Sequence, residues 1–357
     1  MSVFTFDRAP LRVYWELTRA CDLACRHCRA EAVRDRATDE LTTDECETVL
    51  AGLAAAGATA PHVIFTGGDP LKRPDLIHLV RAAVARGLGV SVAPSATPRL
   101  SREMIHALKD AGAGAMSLSL DGPTAAHHDG LRGVLGCFGW TLAAAERIVG
   151  AGIPLQINTL VSAETEPHLE ETAELVARLA ASRWSLFFLV SVGRGRALRP
   201  LTAAECEQTL RWLARSAGRW PFTVSTTEAP QYRRVALEVM REQGRSGADI
   251  QTSSLARGYG IRDGNGVMFI GANGDVTPSG FLPLVAGNVR RTDALQIYRD
   301  AALFRALRVP AAFGGRCGAC QFREVCGGSR ARAWAATGDV LGEDPLCAWH
   351  PHSTRSA

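Results

Sequence analysis

No stretch of this sequence is apolar for long enough to cross a membrane, and Met1–Arg8 has no apolar core of the kind a secretory leader carries. A cytoplasmic protein without membrane attachment is therefore expected. Neither charge sign dominates: the 357 residues carry a formal net charge of only +4, with no long basic stripe. That argues against a nucleic-acid partner, because phosphate contacts need clustered lysine and arginine. There is no internal repeat and no low-complexity segment, so no repeat architecture is expected. Evenly spread cysteine is also missing. Of ten cysteines, seven fall in two clusters: 21, 25 and 28, then 317, 320, 326 and 347. A chain of this length can bury a core without disulfide staples, so clustered cysteine points to metal. The scattered Cys46, Cys137 and Cys206 read as buried thiols.

What is present begins with Cys21-x3-Cys25-x2-Cys28, directly after the apolar run Leu11–Leu17. Three thiolates in one loop can hold three irons of a [4Fe–4S] cluster and leave the fourth iron open, an arrangement for chemistry rather than scaffolding. Zinc or no metal is the alternative, but zinc asks for four ligands and none stands nearby except His27, which would be strained between two others. Arg19 and Asp22, flanking the loop, read as a solvated ion pair.

Strand-like runs recur at Leu11–Leu17, His62–Thr66, Gly89–Ala93, Ala115–Leu120, Pro154–Leu160 and Trp184–Val192. Helical patterns separate them: Thr42 or Thr43 to about Ala56, Pro74 to Gly87, Ser101–Ala111, Phe138–Gly150 and His168–Ala181. Six strand–helix units predict an α/β fold, a partial (β/α)6 TIM-like barrel with its chemistry at the carboxyl ends of the strands. Beyond it, Thr202–Ala217 reads as a helix and Arg241–Gly266 as a polar loop. Gly266–Ile270 and Val276–Pro278 flank an Asn-Gly hairpin signal, and a small cysteine-rich segment follows. The expected divisions are 1–225 for the barrel, 226–300 for a bridging region and 301–357 for the cysteine-rich tail.

Together Cys21-x3-Cys25-x2-Cys28, Thr66-Gly67-Gly68-Asp69-Pro70 and Ser119-Leu120-Asp121-Gly122 resemble the radical S-adenosylmethionine (SAM) superfamily over nearly the whole chain. The resemblance implies an enzyme with a [4Fe–4S] cluster on Cys21, Cys25 and Cys28. SAM would chelate the open iron and be cleaved reductively to a 5′-deoxyadenosyl radical that takes hydrogen from a substrate. It implies SAM contacts from Gly67 and Gly68, whose lack of a side chain lets the backbone approach a ligand. Asp69 would add negative charge near the methionine ammonium; the family usually has Glu there, one methylene longer. Ser119 and Asp121 suit the ribose hydroxyls, although Asp121 also suits the tight Asp-Gly turn. Asn158, Ser95 and Thr97 are further candidates for SAM, or else turn residues. His27 stands where an aromatic residue often precedes the third cysteine, and its ring can pack beside adenine.

Cys317-x2-Cys320-x5-Cys326 followed by Cys347 supplies four thiolates, a set for structural zinc or for a cluster. Joined to the barrel, it resembles the SPASM/twitch auxiliary-cluster domain, and implies one auxiliary [4Fe–4S] cluster. Ser279 and Arg330 stand where the full pattern has further cysteines, so a second auxiliary cluster is not expected. Arg316, Arg323, Arg330 and Arg332 near the four cysteines read as a solvated basic face or as an offset to cluster charge. The third reading is a dock for an acidic electron donor, a flavodoxin or ferredoxin.

For the substrate, Arg194 and Arg196 follow the sixth strand and suit acidic groups, on a substrate or on SAM. Glu228, Tyr232 and Arg233 read as base, hydrogen or proton donor and carboxylate clamp, or as a plain linker. Oxidative modification of a peptide or peptide-derived product is the first expectation, with a precursor peptide or a peptide carrier as partner. Tailoring of a tetrapyrrole or another polycarboxylate is the second. A non-catalytic Fe–S or zinc protein is the reading from another class.

Overall fold

The computed structural model describes residues 6–252 and 260–351, with the side chains of 251 and 252 left out. Alternation along the strands builds the sheet. In β1 (Arg12–Glu16) and β2 (His62–Thr66), Val13, Trp15, Val63 and Phe65 are buried while Tyr14 and Ile64 stay half-open. The same two-residue period runs through β3 (Val90–Val92), β4 (Ala115–Ser119) and β5 (Leu155–Val161). β6 (Arg183–Phe188) and β7 (Thr223–Thr227) extend the sheet, each parallel to its neighbour. The apolar face lies under helices. These are α1 (Thr43–Ala54), α2 (Leu76–Ala85), α3 (Arg102–Asp110), α4 (Ala125–Arg132), α5 (Cys137–Gly150), α6 (Leu169–Arg178) and α7 (Ala203–Ser216). α1 and α7 each open on a capping box, Thr42 with Glu45 and Thr202 with Glu205, which satisfies donors that a helix start leaves free.

On the other side of β1 the sheet continues through the C-terminal half. β8 (Arg262–Asp263) pairs with β9 (Gly266–Ile270), which lies parallel to β1. β10 (Asp275–Thr277) returns antiparallel to β9 and β11 (Gly287–Asn288) closes the edge. The order β11-β10-β9-β1-β2-β3-β4-β5-β6-β7 leaves β11 and β7 unpaired with each other, so the barrel is partial. The six expected strands are all present. A seventh, β7, spans the expected division at 225, and α8 (Tyr232–Glu242) begins inside the segment 226–234 that read as a linker.

Within the expected loop 241–266, α9 (Gly247–Thr252) forms, and residues 253–259 lie outside the described residues. The chain ends with α10 (Ala294–Asp300), α11 (Ala302–Leu307), α12 (Gly315–Ala319) and α13 (Arg330–Thr337). A small apolar cluster of Val190, Val192, Leu282, Leu307 and Ala331 joins the end of β6 to this tail. Cys46, Cys137 and Cys206 are buried thiols, as expected. No helix among the described residues is long and apolar enough to cross a membrane.

Candidate active site

Every sequence candidate in the barrel except Asn158 lies on the loops that leave the carboxyl ends of the parallel strands, or at those ends; Asn158 stands in the middle of β5, not at its end. The loop after β1 and the turn after β2 are bonded backbone to backbone: Gly68 N donates to Thr18 O and Asp69 N to Ala20 O, each at 2.7 Å. A Cβ at Gly67 would stand 2.4 Å from Thr18 O, and one at Gly68 2.5 Å from Ala20 O and 2.6 Å from Arg19 O. The space on the Cβ side of these glycines is filled by the cysteine loop. Asp69 departs from its expected role. Its carboxylate accepts from Leu71 N (3.1 Å), Ser95 N (3.3 Å) and Thr97 Oγ1 (3.4 Å), and burial lifts it to about 6. Being short, it folds back to brace the next loop instead of reaching toward an ammonium group. Ser95 has a similar role, with its Oγ donating to Gly68 O at 3.0 Å and lying 3.4 Å from Cys21 Sγ.

The three sulfurs are met by N–H donors: Leu23 N to Cys21 (3.4 Å), Arg132 Nη1 to Cys25 (3.5 Å) and Ala32 N to Cys28 (3.4 Å). Such bonds favour a thiolate. Burial, and then the Asp69 and Cys25 charges, push the Cys21 thiol up, so a bound cation is what would hold it deprotonated.

Behind this loop lies a buried pair that the sequence did not announce. Asp121 forms an ion pair with Arg132 and also accepts from Leu160 N at 2.7 Å. Burial works to raise the Asp121 pKa, yet the Arg132 charge brings it below the usual range. This carboxylate is therefore spent inside the protein, not on ribose hydroxyls. Ser119 and Asn158 are directly opposite each other in register on the half-exposed face, with Gln156 donating to Asn158 Oδ1 at 2.7 Å. Arg194 ties to the cysteine loop, its Nε donating to Cys25 O (2.9 Å) and its backbone N to Cys28 O (3.1 Å).

Three buried polar atoms around the loop have no partner: His27 Nδ1, Arg132 Nε and Arg194 Nη2. Burial, and then the Arg132 charge, push the His27 pKa down to about 4, so its ring is neutral. Unpartnered buried donors beside open hydroxyl and amide groups fit a polar, anionic ligand set against the cysteines. Arg132 is the contributor that sequence reading missed. Its signals were an N-cap at Thr124 and the left-handed Gly133 that closes α4.

In the tail, Cys317, Cys320, Cys326 and Cys347 line one pocket with Phe322 and Trp349. Asp344 N donates to Cys317, Phe322 N to Cys320 and Gly328 N to Cys326, each at 3.4 Å. Burial pushes the Cys326 thiol up to about 12 and the Cys347 thiol to about 11, so here too a metal must supply the deprotonation. Zinc bonds to sulfur at about 2.3 Å, which draws four thiolates within about 4 Å of one another. The cysteines of neither cluster come together in this way. Among the described residues the one set of three such ligand atoms within 4.8 Å of one another is His128, Asp129 and Cys137. That set is already used, since Asp129 accepts from Gly136 N and Phe138 N at 2.7 Å each and His128 Nδ1 from Asp121 N at 3.1 Å.

The candidates for substrate contact are dispersed. Tyr232 is a core residue whose hydroxyl burial pushes up to about 12. Arg233 reaches two carbonyls, Val325 O at 3.1 Å and Ile261 O at 3.4 Å, and so links α8 to the tail. Arg196 is exposed. Glu228 lies deep but keeps part of its surface open. It holds φ +57° and accepts from Ser329 Oγ, and burial followed by the Asp263 charge raises its pKa well above the ordinary value.

The family model described as Radical SAM superfamily matches residues 15–176. Over 354 residues the chain is 38% identical to an AdoMet-dependent heme synthase of Methanosarcina barkeri, covering 98% of this chain and 99% of that protein. It is 31% identical to a PqqA peptide cyclase of Rhodopseudomonas palustris (96% and 88% covered) and 27% identical to an Fe-coproporphyrin III synthase of Methanosarcina barkeri (96% and 89%). Streptococcus suis SuiB bound to S-adenosylmethionine shares the fold, with a TM-score of 0.71 at 16% identity over 95% of this chain and 77% of that one.

Proposed function

From its membership of the radical SAM superfamily, to which this chain belongs, we propose that it is a tetrapyrrole-tailoring enzyme that converts a propionate-bearing iron porphyrin to haem. The observation that carries this reading is the likeness to a heme synthase from end to end, at 38% against 31% for the peptide cyclase. It puts the second expected substrate class ahead of the first.

Bound at Cys21, Cys25 and Cys28, the family's [4Fe–4S] cluster with SAM supplies the 5′-deoxyadenosyl radical that takes hydrogen from the substrate. The chain's own residues orient and shield. Ser119 and Asn158, opposite each other in register, would meet the ribose, and the unpartnered N–H groups of Arg194 Nη2 and Arg132 Nε would serve the carboxylate of SAM. The four tail thiolates hold an auxiliary [4Fe–4S] cluster. With every iron ligated by protein it offers no open position, which suits electron transfer.

One cation for an acidic substrate group is Arg233, whose hydrogen-bond partners among the described residues are carbonyls. A propionate becomes a vinyl group by losing a hydrogen atom, carbon dioxide and one electron, so an electron acceptor is required.

The test is anaerobic incubation of reconstituted protein with SAM, a reductant and iron-coproporphyrin III, read by mass spectrometry. Haem formation with 5′-deoxyadenosine supports the reading. Abundant 5′-deoxyadenosine with an unchanged porphyrin refutes it and returns the argument to a peptide substrate, which the PqqA cyclase likeness favours. An acidic flavodoxin or ferredoxin is the proposed electron donor.

A further inference from the structure

Most arginines packed around the tail cysteines have a carboxylate partner. Arg332 pairs with Asp344 at 3.1 Å, Arg316 with Glu343 at 3.1 Å, and Arg234 with Glu207 and Glu238. Arg330 and Arg262 have none among the described residues. Arg330 is 0% exposed and Arg262 6% exposed. Arg330 donates to Gly342 O (2.6 Å) and Val340 O (3.3 Å), and its Nη2 reaches Cys317 Sγ at 3.5 Å. Arg262 donates to Gly260 O (2.8 Å) and Leu307 O (3.3 Å), and its Nε is buried without a partner. Both guanidinium groups stack on one ring, Phe313, at 4.5 Å and 5.2 Å from its centroid. Two like charges share a dry site; Arg262 feels the charges of Cys326 and Glu324, and the anion that Arg330 touches is the Cys317 thiolate.

The backbone is shaped to allow this approach. Gly327 and Gly328 hold φ of +70° and +68°. A Cβ on Gly328 would lie 2.6 Å from Arg330 Nη2 and 3.0 Å from Cys317 Sγ, and one on Gly327 3.0 Å from Arg262 Nε. Two glycines in the left-handed region thus keep clear the gap between the arginines and the sulfurs.

We propose that Arg330, with Arg262 beside it on Phe313, is the counter-cation of the tail cluster: a positioning residue that holds the four-thiolate anion and raises its reduction potential. The inference rests on the tail-cluster reading above. A [4Fe–4S] centre with four thiolates goes from a net charge of −2 to −3 on gaining one electron, so a fixed cation at one sulfur favours the reduced form. The position that carries a ligand in the two-cluster pattern has here become part of the charge balance of the one remaining site.

The test uses the full-length, anaerobically reconstituted protein, with iron analysis and a dithionite titration followed by electron paramagnetic resonance. Arg330→Met keeps bulk without charge and Arg330→Lys keeps charge without the fork. The expected result is a lower potential for the tail cluster in Arg330→Met, partial recovery in Arg330→Lys and no change at the Cys21–Cys25–Cys28 cluster. Loss from about eight irons to about four in Arg330→Met alone, with Arg330→Lys fully loaded, also supports the proposal. Full loading with an unmoved potential in Arg330→Met overturns the charge role, and so does equal loss of iron in both variants. A wild-type protein with about four irons refutes the tail-cluster reading, and the proposal with it.

Discussion

Gly68→Ala tests whether the glycine turn serves the cysteine loop. The added methyl would stand 2.5 Å from Ala20 O, 2.6 Å from Arg19 O and 2.8 Å from Ala20 C, all backbone atoms that cannot rotate away. An ordinary carbon–oxygen contact is nearly 1 Å longer, so the two loops must part. Parting them breaks the 2.7 Å bonds from Gly68 N to Thr18 O and from Asp69 N to Ala20 O. Overpacking of this kind costs about 1–3 kcal/mol and each lost buried hydrogen bond about 1 kcal/mol. The sum is about 3–5 kcal/mol, a large part of a typical domain's stability. Urea unfolding of the apo protein measures it, and iron content after reconstitution measures the effect on the loop. Gly139→Ala is the control. It lies inside α5 with nothing within 4 Å of its added Cβ, and should gain about 0.5–1 kcal/mol. A Gly68→Ala protein with wild-type midpoint and full iron would refute the reasoning.

Cys25→Ala should abolish 5′-deoxyadenosine formation, whereas Cys317→Ala should leave part of it; equal loss in both would deny the two clusters separate roles. Arg132→Met leaves Asp121 ionised and buried without its partner, at an expected cost of about 3–5 kcal/mol in urea unfolding. Adding Asp121→Asn should recover much of that, and a double variant no better than the single one would count against the pair. Glu228 holds its proton in the native state to a higher pH than in the unfolded chain. Native stability should therefore fall as pH rises from the ordinary value of 4.5 through the raised one. In Glu228→Gln that part of the slope should vanish, which midpoints at about pH 5 and about pH 8 will show; parallel slopes would exclude Glu228 as the source.

The barrel was legible because Val13-Tyr14-Trp15 and its counterparts in the next strands alternate buried and open residues against a helical layer. β7 was not, since Thr-Val-Ser-Thr-Thr has no apolar face and its residues stay at least part-open in the structure. α8 was hidden behind Pro230 and the Arg233-Arg234 pair. Buried Arg234 is held there by Glu238, one turn on, and by Glu207 of α7, which no local pattern discloses. The two cysteine clusters could be read from spacing as metal sites, although spacing alone left zinc open. The purposes of Asp69 and Asp121 could not, because their partners, Ser95 and Arg132, come from other loops and helices. Chemistry written into adjacent residues is visible in a sequence; charge balance reached through space is not.

β1 is made first, and its second edge waits for a strand far along the chain. Its partner β9 begins at Gly266, so about 250 residues separate the two edges of that parallel pair. At roughly 5–20 residues per second, the strand that leads into the cysteine loop waits on the order of ten to fifty seconds on the ribosome with one edge bare. During that interval its free N–H and C=O groups are a template for other chains. A protein ending near residue 225 would stay in that condition permanently. Expression of such a fragment should give aggregate rather than a small working barrel, and adding 226–300 should restore solubility before any metal is supplied.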